Sequence, residues 1–129
     1  MEEGIPEEVR QFIEKHIRSL DQLEVLLLVS ALPGSEWSVD AVYNVVRTSP
    51  AVVAERLEFF TSAGMLKRSG EPPVYQYQPR TEQMGKAISL IGAAYKLSRH
   101  RIVELIYAPS RADDPLTSFT DAFRFKKRE

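Results

Sequence analysis

The sequence predicts a mainly α-helical domain that carries one small β-hairpin and is extended by helices at both ends. Three observations carry that expectation. Between Trp37 and Gly64, two short stretches of helical apolar spacing lie on either side of Thr48-Ser49-Pro50, which stops one helix and caps the next. Val74, Gln76 and Gln78 alternate with Tyr75 and Tyr77, and Ser69-Gly70-Glu71-Pro72-Pro73 separates that run from Met65–Arg68, the pattern of a hairpin. From Met84 to Leu105, residues of the apolar seam step by 4, 3, 4, 3, 4 and 3, a heptad spacing.

With 129 residues and 43% hydrophobic content, the chain can bury one core and is too short for two independent ones. It has no cysteine, which excludes disulfides and thiolate metal sites. The longest apolar run, Val25–Val29, is far too short to span a bilayer, and the acidic start MEEGIPEE is unlike a signal peptide. The expectation is a cytoplasmic protein without a membrane partner. The net charge of −1 is unevenly spread. Residues 1–30 hold seven acids and three bases, residues 31–80 five of each, and residues 81–129 six acids and nine bases, so an acidic front faces a basic back.

Ile5, Val9, Phe12, Ile13, Ile17 and Leu20 recur at helical spacing, which predicts an N-terminal helix over about 6–18 within a packing or dimerisation segment, residues 1–19. Ser19 with Gln22 forms a capping-box pattern that opens a second helix, Leu20 to Leu32. LEVLLLVSAL is apolar on nearly every side, so this helix is the expected buried centre, stopped by Pro33-Gly34. Gly34–Trp37 reads as a loop, with Trp37 stapling the start of the next helix. Ser38 caps that helix, which is expected to run to Arg47 with Val39, Val42, Val45 and Val46 inward. Ser49 and Pro50 start the next one, with Val53, Leu57 and Phe60 inward and Gly64 as a left-handed C-cap. Phe59 is expected as a second core contact against the hairpin, and Tyr75 and Tyr77 as cover for its inner side. Residues 81–109 are expected to form one helix of about 42 Å, and residues 110–129 an amphipathic tail with Leu116, Phe119 and Phe123 on one face and a basic end.

The stretch SPAVVAERLEFFTSAGMLKR resembles the recognition-helix signature of the winged helix-turn-helix superfamily, in particular the multiple-antibiotic-resistance (MarR) type of bacterial regulators. The shared features are a Ser/Thr cap, an inward valine, Arg-Leu near the middle, an apolar residue three positions later, then Ala-Gly and two apolar residues entering the wing. The resemblance covers about residues 20–80. It implies a DNA-binding transcription regulator that reads a duplex site through helix 50–63 and the wing. On that pattern Ser49, Ala51, Val52, Glu55 and Arg56 face DNA, while Arg47, Lys67 and Arg68 sit near the phosphate backbone. Arg56 is the one side chain on that helix suited to a bidentate guanine contact, and Glu55 suits a cytosine amine.

The seam residues Met84, Ile88, Ile91, Tyr95, Ile102 and Leu105 admit two uses, packing on helix 6–18 or pairing with a second copy as related regulators do. The expectation is a homodimer. A second reading of the whole chain is a winged-helix protein-interaction adaptor that does not read DNA, motivated by the near-neutral charge, Glu55 and Glu58, and a wing with only Lys67 and Arg68. Its partner would meet the recognition face or the tail. Enzyme chemistry has no support in the sequence. His16 and His100 are far apart with no carboxylate pair at ligand spacing, and there is no phosphate loop, nucleophile elbow or carboxylate dyad, so no catalytic residue, metal or cofactor is expected.

Overall fold

The computed structural model describes residues 5–107 and has six helices and a three-stranded antiparallel sheet among them. The tail residues Leu116, Phe119 and Phe123 and the basic end lie outside the described residues.

Helix α1, Glu7–His16, puts two acids in its first turn and buries Val9, Phe12 and Ile13. Ser19 then caps α2, Leu20–Ala31, its hydroxyl accepting from the Gln22 N–H at 3.3 Å. The Gln22 side chain in turn accepts from the Arg18 N–H at 2.6 Å, so the predicted capping box closes one residue earlier than the standard form. Leu23, Val25, Leu26 and Val29 are fully buried along α2. This helix packs against helices and sheet on several sides, as its near-continuous apolar sequence requires.

The expected loop before Ser38 contains a strand instead. β1, Glu36–Trp37, pairs with β3, Val74–Tyr77, which also pairs with β2, Leu66–Ser69, giving the order β1-β3-β2. Two residues are too few to display alternation, and β1 exists because the hairpin's free edge offers it a partner.

α3, Val39–Tyr43, is capped by the Ser38 hydroxyl but ends four residues before the expected Arg47. Val46 N–H bonds back to Val42 and Thr48 N–H bonds to Val46, a tight turn that leaves Val45 59% exposed rather than inward. Ser49 is extended, as the residue before Pro50 must be, which bars a helix from continuing into α4, and the β-branched pair Val45-Val46 holds the last turn of α3 weakly.

α4, Pro50–Ser62, starts at the Ser49 cap and buries Val53, Leu57 and Phe60 completely. It stops at Ala63, and Gly64 takes φ +90°, with its absent Cβ position 3.0 Å from the Arg80 guanidinium. Gly64→Ala is therefore expected to destabilise by about 1–2 kcal/mol from the left-handed backbone alone, and by more because Arg80 must shift. Gly34, at φ +94° with nothing within 4 Å, is the control. Urea unfolding of both alanine variants checks that Gly64→Ala loses more.

The predicted single helix over 81–109 is two helices. α5, Glu82–Leu97, is capped by Thr81 and α6, Arg99–Ile106, follows a break at Ser98, which has φ −144° and ψ 63°. Ser98 keeps its own backbone bonds, its N–H to Ala94 at 2.8 Å and its carbonyl accepting from Arg101 and Ile102, and the break lets Ile102 and Ile106 turn onto the core beside α1. The periodic spacing persists across the break, so the seam marks it only by its one polar member, Ser98. Ile88, Ile91 and Ile102 are 2%, 0% and 0% exposed within one protomer, while Met84, Tyr95 and Leu105 are half-buried against the same core. The seam thus serves intramolecular packing, and its three isoleucines are not available to a second copy in this fold. Tyr107 fastens the end of α6 to the start of α2 by accepting from the Leu20 N–H at 2.8 Å. No helix among the described residues is long and apolar enough to cross a membrane.

Candidate nucleic-acid interface

α4 presents one stripe to solvent, Ala51, Glu55, Phe59 and Ser62, because its other side is committed to Val53, Leu57 and Phe60. The α3–α4 turn lies at its start and the β2 strand alongside it. Ser49 is half-buried and its hydroxyl accepts from the Val52 N–H at 3.1 Å, so it acts first as a cap. Ala51 and Glu55 are exposed, and Val52 is half-buried.

Arg56 is placed differently from the sequence expectation. Its Nε donates to Asp21 Oδ2 at 2.9 Å, and Nη2 reaches Asp21 Oδ1 and Ser19 Oγ, both at 3.4 Å. Both charged side chains are about one quarter exposed, and Ser19 Oγ also donates to Asp21 Oδ1 at 2.6 Å. Arg56 sits beside Leu57, at the edge of the inward face, so its side chain lies over the first turn of α2. Burial pushes the Asp21 carboxyl up, but the hydrogen bonds from Arg56 and Ser19 and the guanidinium charge outweigh it, holding Asp21 below the usual carboxylate range. Arg56 is a brace between α2 and α4, and Glu55 lies 3.8 Å from its other edge.

A second clasp ties α4 to the hairpin. Glu58 Oε2 accepts from Arg68 Nη1 at 2.7 Å and from the Tyr75 hydroxyl at 2.6 Å. Those two hydrogen bonds, the tyrosine's first, hold Glu58 below the usual carboxylate range, while burial and the carboxylate beside it raise Tyr75 to about 12. Neither Glu58 nor Tyr75 is part of the sequence-predicted contact set. The Arg56 and Arg68 partners stand 35 and 10 residues away along the chain, beyond any local spacing rule.

Arg47 and Lys67, the remaining predicted cations, have no side-chain hydrogen bond or ion pair among the described residues. The Arg47 guanidinium lies 4.6 Å above the Tyr43 ring, which anchors its face while leaving its N–H edge open. Lys67 is exposed, with no hydrogen bond or ion pair among the described residues. Phe59, expected in the core, is 40% exposed and meets Phe60 edge-on at 5.4 Å. Away from this face, His16 is half-buried against Phe12, and burial followed by the Lys15 charge lowers its pKa; His100 is exposed.

No protein-family model, curated protein or solved structure matches the chain. The candidate interface is the exposed helix start, with Arg47 in the turn before it and Lys67 on β2, on the sheet face opposite the Arg68–Tyr75 face that meets α4.

Proposed function

We propose that this chain is a winged-helix protein that binds duplex DNA through the first two turns of α4, as a regulator of transcription does. α2, α3 and α4 form the helical part, β2 and β3 the wing, and β1 the third strand. The observation that carries the reading is the exposed start of α4, Ala51 and Glu55, with Arg47 in the turn just before it and exposed Lys67 on the neighbouring β2, neither cation hydrogen-bonded or ion-paired among the described residues. Phosphate contacts from such residues set register, and the short side chains of Ser49, Ala51 and Val52 allow close approach to base edges. Arg56 is assigned no base, because its donors are held by Asp21 and Ser19. The three seam isoleucines lie inside the protomer, so the proposal is made for a single copy.

Fluorescence anisotropy with a mixed-sequence duplex across a salt series tests this reading. Each phosphate contact contributes about 0.9 to the slope of log affinity against log salt. Arg47 and Lys67 predict a slope near −2, and Arg68 adds to it if phosphate displaces Glu58 from that exposed pair. Arg47→Ala and Lys67→Ala are each expected to flatten the slope by about one.

A second reading, the protein-interaction adaptor, is favoured by one observation: Arg56 and Arg68, half of the predicted cations, are paired with carboxylates of the same chain. Absence of duplex binding at low salt favours the adaptor and overturns the first reading.

A further inference from the structure

On the side of the domain formed by α2 and α5 lies an apolar groove of about 800 Å³. Leu27 and Leu28 form one wall, Gly92 and Ala93 the other, and Val45 and Tyr77 close one end. A Cβ at Gly92 would stand 3.8 Å from a Leu27 methyl, so the two walls lie within van der Waals reach at this point. Val45, left exposed by the early end of α3, and Ala93 are lining residues that also reach solvent.

We propose that this groove seats the chain's own C-terminal segment through Leu116, Phe119 and Phe123. Three features single out that occupant. First, the described chain ends at Tyr107, which is held to Leu20 at the start of α2, the helix whose later turns line the groove. The nine residues from Tyr107 to Leu116 reach up to about 30 Å, further than the roughly 18 Å length of the 12-residue α2. Second, Leu116, Phe119 and Phe123 recur at the spacing of 3 and 4 by which one face of a helix fills a hydrophobic groove. Third, the charges match in one direction. At the groove end where Tyr95 and Arg99 engage Glu24, at 3.3 and 3.9 Å, Lys96 also lines the wall, and Asp113-Asp114 precede Leu116. At the other end the loop from Pro33 leads to exposed Glu36, whose strand partner Gln76 neighbours Tyr77, and the basic run Arg124–Arg128 follows Phe123.

The absence of cysteine makes the test unambiguous. Ala93→Cys with Phe119→Cys in the full chain, treated with a short bismaleimide at nanomolar protein, is expected to give an internally cross-linked monomer. The control pair Gln11→Cys with Phe119→Cys, on the exposed side of α1, is expected to give little. A tether this short raises the local concentration to the millimolar range, so intramolecular capture dominates when the segment is seated. Equal cross-linking of the two pairs, or cross-linked dimers alone, overturns the proposal, the latter by making a second copy the occupant. In parallel, Phe119→Ala/Phe123→Ala is expected to raise binding of a hydrophobic dye at unchanged far-UV dichroism. Unchanged dye binding overturns the proposal even if the cysteine variants fold poorly. Neither measurement involves DNA, so the result is independent of the duplex-binding reading.

Discussion

Phe60→Ala is expected to lower the unfolding free energy by about 3–5 kcal/mol, whereas Phe59→Ala, one residue earlier, loses about 1 kcal/mol or less. Phe60 is fully buried on the inner face of α4, and its carbonyl accepts the Met65 N–H at 2.9 Å where the chain turns into the hairpin. Truncation opens a cavity at the junction of helix and sheet, which close packing does not let the neighbours refill. Phe59 is 40% exposed and gives up mainly an edge contact with Phe60. A domain of this size has about 5–15 kcal/mol of stability in total, so the first variant is expected to be marginal and the second well folded. Equilibrium urea unfolding checks both. Equal losses would mean that the two faces of α4 are not separated as described.

Arg56→Ala is expected to lose about 1–2 kcal/mol by leaving the partly buried Asp21 carboxylate without its guanidinium, although Arg56 lies on the helix assigned to DNA. Arg56→Lys restores only part of the loss, since a lysine cannot supply the two-pronged contact to both Asp21 oxygens. The pH dependence follows from the sign of the Asp21 shift. Its pKa is lower in the folded chain than in the unfolded one, so its stabilising contribution is complete above the ordinary carboxylate range. That contribution disappears as pH falls through the folded value. The stability gap between the native chain and Asp21→Asn is thus expected to be widest at pH 6 and to close towards pH 2. A gap that is constant over this range would contradict the brace.

Much of the architecture was legible because it is written in local chemistry. Ser19, Ser38 and Ser49 each cap the helix expected of them, Gly64 takes the left-handed cap, and Val53, Leu57 and Phe60 face inward at their spacing. The departures arise where a distant partner decides. β1 depends on pairing with β3, the central strand, some 40 residues away, and the break at Ser98 turns Ile102 and Ile106 onto the core beside α1. The candidate interface was legible in position and less so in chemistry. The sequence reading put Arg47, Lys67, Ala51 and Glu55 at the surface, and all four are exposed. It had no means of seeing that Asp21 captures Arg56 or that Glu58 captures Arg68, because those pairings join separate elements.

The central proposal is that the exposed start of α4, with Arg47 in the turn before it and Lys67 on β2, contacts duplex DNA while Arg56 stays on Asp21. Amide chemical shifts followed during titration of the full chain with a mixed-sequence duplex at low salt test it most directly. The expected result is that shifts concentrate at Arg47–Glu55 and Lys67–Ser69, with the Arg56 side-chain Nε–H signal unmoved. Shifts confined to Leu27, Leu28 and Ala93, or none at all, would contradict it.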